Sequence, residues 1–338
     1  MKKISFMICL VALLMVFPFA NKTSAQKPIE LSYSIFFPSP HKQTLLVAEW
    51  AKEIEKRTGG RVKIIVFPGG TLTPADKCYQ GVITGVSDIG YSATGYTRGR
   101  FPFFEIYDLP LGMRSGMICT KLLNELYKKF QPKELDDTKP MYFSSPGPSM
   151  LHTKKPVRNL EDLKGLKIRS AGAMTKIIAQ MGAAPVAMPP GEVYDALSKG
   201  VVEGILMPTE VLEGWRFAEV VKYTTECYGI GSFAGAFYIT MNKDKWKALS
   251  PEIQKIIETV NEEWIEKTGK LWNELDQSGK NFALKSGHMF ISLSKEEDER
   301  WAKLLKPLFD DYINNMKVKG LPGEEALKFC MEYLKKNQ

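Results

Sequence analysis

The stretch from Ser250 to about Lys285 sets the scale of the molecule. Ser250-Pro251 is a helix start, and the apolar residues Ile253, Ile256, Ile257, Val260, Trp264, Leu271, Trp272, Leu275 and Phe282 follow at near-helical spacing. Unbroken, such a helix is about 50 Å long at 1.5 Å per residue, longer than one small domain is wide. It is expected to span two domains.

The remainder of the chain supplies material for two domains by alternating strand and helix. Residues 31–37 form a β-rich run that Pro38-Ser39-Pro40 breaks. A helix over 41–57 stops at Gly59-Gly60, a strand covers 61–67, Thr73 is placed to cap a helix reaching 84, and 87–92 is a third strand. After an aromatic, proline-broken stretch and a helix over 119–130, a boundary falls at about 136–140. Residues 141–152 read as a crossover strand interrupted by Pro146-Gly147-Pro148. The alternation then resumes with strands over 166–169, 184–188 and 201–207, between helices over 173–181 and 191–199. Strands over 220–227 and 233–241 return the chain to the first unit. Near the end come a short strand at 289–293, a capping box at Ser294 and Glu297, a kink expected at Pro307 and a helix over 324–334. This pattern predicts an α/β fold with mainly parallel sheets covered on both faces. The expected division is 26–147 with about 232–270 in domain I, and 148–231 with about 271–338 in domain II.

Met1 to Ala25 stands apart from that pattern. Lys2 and Lys3 precede an uncharged run from Ile4 to Ala20, and small residues close the segment, as in a cleaved secretory signal. At about 17 residues the run is at the short limit for a membrane span. A soluble protein exported to a bacterial periplasm is the expectation. The chain has 46 lysines and arginines against 38 acids; without Lys2, Lys3 and Lys22 of the leader the balance is 43 to 38, a net of +5. So mild and scattered an excess forms no stripe for nucleic acid. Beyond the leader, Cys78, Cys119, Cys227 and Cys330 match no metal-ligand spacing. Sequence cannot pair them, and buried free thiols are the expectation.

Catalytic patterns are missing where an enzyme needs them. The histidines His41, His152 and His288 are far apart in sequence, and no serine stands in a nucleophile elbow. The glycine run 229–235 has one residue too many for a dinucleotide loop and leads into a strand, so it reads as a crossing point of the backbone. Asp162, Glu192 and Glu203 are too scattered for a carboxylate pair. Arg169 is different, because it falls at the carboxyl end of the strand after the Gly165 turn, where open α/β sheets bind ligands. A guanidinium there can clamp a carboxylate through two parallel hydrogen bonds.

Several ordered segments together resemble a known family. They are Phe67 to Leu72 (Phe-Pro-Gly-Gly-Thr-Leu), Gly81 to Gly90 ending Ser-Asp-Ile-Gly, Asp108-Leu109-Pro110, Asp162 to Arg169, Glu192 to Leu197, Gly200 to Gly204, and the long late helix. With the leader they cover nearly all of the mature chain, and the combination resembles the solute-binding proteins of tripartite ATP-independent periplasmic (TRAP) transporters, DctP type. The resemblance implies a two-domain periplasmic-binding-protein-like fold with a ligand cleft between the domains. It further implies a monomer that closes on a small carboxylate and delivers it to the small and large membrane subunits of a permease, with no enzyme activity and no cofactor. On it, Arg169 is the carboxylate-clamping arginine. Met207 stands where acidic-sugar binders carry asparagine, and Lys155 where they carry a second arginine, which implies a less hydroxylated ligand. Phe36, Phe37, Tyr91 and Trp215 are available to wall an apolar or aromatic acid. The candidate ligand-binding residues are thus Arg169, Met207, Lys155, Phe37, Tyr91, Trp215 and Glu192. The alternatives are an exported enzyme on the same scaffold and a receptor that presents its ligand to a sensor.

Overall fold

The structure, a computed structural model, describes residues 27–172, 174–231 and 235–338. The leader and part of the 229–235 glycine run therefore lie outside the described residues. Eleven strands are found among them: β1 (Ile29–Ile35), β2 (Val62–Phe67), β3 (Ile89–Ala93), β4 (Thr138–Ser144), β5 (Ser149–Thr153), β6 (Lys167–Ser170), β7 (Ala184–Ala187), β8 (Gly204–Pro208), β9 (Tyr223–Glu226), β10 (Phe237–Asn242) and β11 (Met289–Ser292). They build two sheets, ordered β2-β1-β3-β10-β4 and β11-β9-β5-β8-β6-β7, with helices packed around them.

The sheets are more mixed than the sequence suggests. β10 runs antiparallel to β3 and β4, and β5 runs antiparallel to β8 and β9. β5 follows β4 of the other sheet directly, and β10 follows β9 of the other sheet after the short helix Tyr228–Gly231. What reads in sequence as one interrupted strand over 141–152 is β4 of the first sheet and β5 of the second, joined across 145–148. Since β4 ends at the face where the two units meet, β5 starts at that face and must run away from it. The same holds for β9 and β10.

Two helix starts also differ from expectation. The helix expected from Thr73 begins instead at Cys78, and the Thr73 hydroxyl lies 2.6 Å from Ser34 Oγ. Pro307 does not kink a helix. It opens a new one, Pro307–Val318, after Lys295–Leu304 has ended, because its missing N–H is tolerated at the first helical position.

The long helix is Pro251–Lys285, 35 residues and about 52 Å, started by the Ser250 hydroxyl, which accepts from the Ile253 N–H. Its earlier turns serve the first sheet: Trp264 Nε1 donates to the Leu46 carbonyl and Trp272 Nε1 to Ser144 Oγ. Its later turns lie against the second. Asp276 accepts from the Glu210 N–H at 3.0 Å, and a Cβ on Gly279 would stand 2.4 Å from the Thr209 carbonyl oxygen, so glycine permits that approach.

The last helices do not all follow domain II. Arg300 of Lys295–Leu304 pairs with Glu161 beside the second sheet, whereas Tyr312 donates to the Phe103 carbonyl, and Met316, Cys330 and Leu334 share a buried cluster with Phe103, Ile106 and Leu123. The aromatic stretch around Phe103 needs an apolar cover, and Pro307–Val318 and Gly323–Asn337 provide it. Cys78, Cys119, Cys227 and Cys330 are all buried and free.

Candidate functional site

Arg169 is the third of four residues in β6, paired with Ile205 of β8 on one side and Val186 of β7 on the other. The strand is fed by a short helix, Leu160–Leu163, that Asn159 caps through the Asp162 N–H, and by a turn at Gly165, where φ is +76°. Its side chain is 2% exposed. Nε and Nη2 both donate to the Met188 carbonyl, at 3.2 and 3.0 Å, and the Tyr96 ring lies 5.9 Å away. Burial lowers its pKa, and the Tyr96 hydroxyl opposes that. Removing an ion from water costs several kcal/mol even after relaxation, and one carbonyl with one phenol is a small return. The arrangement suits an anion.

The guanidinium faces a chamber of about 70 Å³ between the two sheets. Tyr96 and Phe237 wall it from the first unit, and Arg169, Met174, Leu206 and Met207 from the second, with Asp108 and Ser149 at its polar margin. A water needs about 10–15 Å³ by this measure, so the space matches about five to seven waters or one compact molecule. A wider groove of about 570 Å³ runs between the helix Gly116–Phe130 and the long helix. Two of its lysines are already paired, Lys128 with Glu262 and Lys139 with Glu258, and none of its lysines is buried as Arg169 is. Chemistry, not size, therefore selects the chamber.

Met207 is the fourth of the five residues of β8, just before Pro208, and its carbonyl is held from behind. His152 Nε2 lies 3.0 Å from that carbonyl, which can only accept, so Nε2 carries the proton. Nδ1 of the neutral ring then accepts from Thr224 Oγ1 at 2.8 Å, and Thr224 in turn accepts from His288 Nε2 at 2.7 Å. Burial, with His288 adding, lowers the His152 pKa to about 3, and burial lowers that of His288 to about 4. Two histidines far apart in sequence thus fix one strand end of the chamber.

The other sequence candidates fall elsewhere. Lys155 is corrected: it lies past the far end of β5, exposed, with its carbonyl bonded to Thr153 Oγ1, because β5 runs away from the chamber. Glu192 is exposed, in the turn Pro190–Glu192 beyond β7, and does not line the chamber. Phe37 and Tyr91 are buried, and half-buried Trp215 stacks on Phe36 with ring centroids 6.2 Å apart. These three are not among the lining residues; they form the aromatic floor behind Phe237, with which both Phe37 and Tyr91 are in edge contact. Tyr96 and Phe237 are the aromatic walls that sequence reasoning missed. Tyr96 ends a three-residue turn with no periodicity to read.

Beneath this floor lies an acidic pair that spacing alone did not reveal. Glu210 Oε2 is 3.0 Å from His41 Nε2, and both residues are buried. Burial, with Glu210 adding, pushes the Asp276 carboxyl up to about 7. Among the described residues no group of three His, Cys, Asp or Glu side chains is placed to hold a metal.

Residues 33–315 match the family model DctP, described as bacterial extracellular solute-binding protein, family 7. A TRAP periplasmic solute binding protein from Desulfovibrio salexigens is 35% identical, with a TM-score of 0.80 over 92% of this chain and 97% of that one. A marine metagenome TRAP solute binding protein specific for aromatic acid ligands, in complex with metahydroxyphenylacetate, is 29% identical, with a TM-score of 0.86 over 91% and 99%. The outer membrane transporter protein TsaT of Comamonas testosteroni is 27% identical over 327 residues, 95% of this chain and 96% of that protein. Agreement of this extent runs through both sheets and the long helix, and the chain belongs to the DctP family of TRAP solute-binding proteins.

Proposed function

We propose that the protein is a periplasmic receptor for a compact monocarboxylate with an apolar or aromatic body, handed on to the small and large membrane subunits of a TRAP permease. The observation that carries this reading is Arg169, a buried guanidinium facing a chamber, whose charge is offset among its described neighbours by the Tyr96 hydroxyl. A ligand carboxylate completes it with charge-assisted hydrogen bonds that gain strength as water leaves. Tyr96, Phe237, Leu206 and Met207 give the ligand body carbon, ring and sulfur contacts, and Met207 offers no hydrogen-bond donor where a sugar acid would need one. The neighbour that binds metahydroxyphenylacetate supports the aromatic class. We place a hinge at the strand crossing 145–148, with the long helix along both units. A thermal-shift screen of aromatic and aliphatic monocarboxylates, keto acids, sugars and amines tests the reading. Raised melting temperatures confined to monocarboxylates are expected; shifts with sugars or amines alone would refute it.

A further inference from the structure

Two glycines face each other across the cleft. Gly172 follows β6 three residues after Arg169, with φ at +55°, and a Cβ built on it would stand 2.9 Å from the Gly95 carbonyl oxygen and 3.1 Å from the Gly95 Cα. Gly95 precedes Tyr96 in the turn after β3, so the contact joins one unit to the other beside the two residues that set the charge and the lid of the chamber. On its outer side lies a second space of about 280 Å³, lined by Gly95, Gly172, Arg98, Glu105 and Lys176. Gly95 and Asp108 border both spaces.

We infer that the backbone contact between Gly95 and Gly172 is the lip that seals the chamber from this vestibule, making residue 172 a determinant of closure and of ligand length. The inference rests on the reading of the chamber as the acid site. Backbone against backbone cannot yield as a flexible side chain does, so a methyl at 172 holds the units apart. An acid that fits inside lets the lip shut, whereas one extended away from its carboxylate must pass between residues 95 and 172 and prop it open.

Binding and closure are read separately on the full mature chain. Calorimetry and stopped flow use 3-hydroxyphenylacetate and biphenyl-4-carboxylate as probes; closure uses distances between spin labels on Arg98→Cys and Lys176→Cys, both exposed in the native protein. Wild type should bind the compact acid at least tenfold more tightly than the extended one. Gly172→Ala should weaken the compact acid at least tenfold, chiefly through faster dissociation, and should lengthen the label distance. Gly95→Ala is the control, because its Cβ would meet nothing within 4 Å, and should stay within threefold. Gly172→Asn separates contact from backbone strain, since asparagine tolerates positive φ yet carries a Cβ; it should lose as much as Gly172→Ala. Recovery in Gly172→Asn, affinity within threefold in Gly172→Ala, or unchanged label distances would overturn the lip. If wild type ignores both acids, the acid reading fails, while the label distances still decide whether residue 172 limits closure.

Discussion

A guanidinium kept from water with a carbonyl and a phenol for company is poised to gain from an anion, and the size of that gain can be stated. Truncating one partner of a desolvated charge pair typically costs about 2–5 kcal/mol, a factor of roughly 30 to several thousand in affinity. Arg169→Ala should lose that much affinity for the acid that binds wild type, measured by calorimetry. Arg169→Lys should recover only part, since a point charge cannot form the two-pronged contact. Affinity within threefold of wild type in Arg169→Ala would make the residue structural. Position at a strand's carboxyl end made Arg169 legible in the sequence. Tyr96, which shares its charge, was not, because a single tyrosine in a short turn has no pattern to betray it.

At the scale of elements, the order of strands and helices was readable, and the direction of the crossing strands was not. Lys155 shows the consequence. Placed by analogy it joins Arg169, yet β5 is entered from the cleft, so each further residue moves away from the chamber. The aromatics Phe37 and Tyr91 failed for a different reason: a sequence shows that a ring is buried but not whether a wall or a floor buries it. The His152–Thr224–His288 chain, linking β5, β9 and the start of β11, was equally hidden, since its members meet only through sheet order. Its effect on stability has a definite sign. Because burial holds the His152 pKa near 3, against an ordinary 6.5, the unfolded chain takes up a proton there that the native state refuses. Stability from this group is complete above about pH 6.5 and is lost as the pH falls toward 3, by roughly 2 kcal/mol at pH 5. Asp276, with its carboxyl near 7, acts in the opposite sense, so the comparison must be between variants. Chemical denaturation at pH 7 and pH 5 should show a larger drop for wild type than for His152→Gln, by about that amount. Equal drops would mean that His152 is not held neutral.

On the scale of the whole molecule, two sheets meet across a chamber, two strand crossings join them, and one helix of about 52 Å packs on both. In such a build a ligand can favour the closed arrangement only by the contacts it makes to both units there. In the function proposed above, the carboxylate meets Arg169 on the second unit and the body of the ligand meets Tyr96 and Phe237 on the first, all of which line the chamber. The charge is the term that cannot be replaced by shape. Isothermal titration of the mature protein with 3-hydroxyphenylacetate and with its neutral amide, 3-hydroxyphenylacetamide, isolates that term, because the two molecules differ little in size. We expect the acid to bind at least a hundredfold more tightly than the amide, about 2.7 kcal/mol. Equal binding of the two would show that the chamber recognises the ring and not the carboxylate, and that Arg169 is not the clamp.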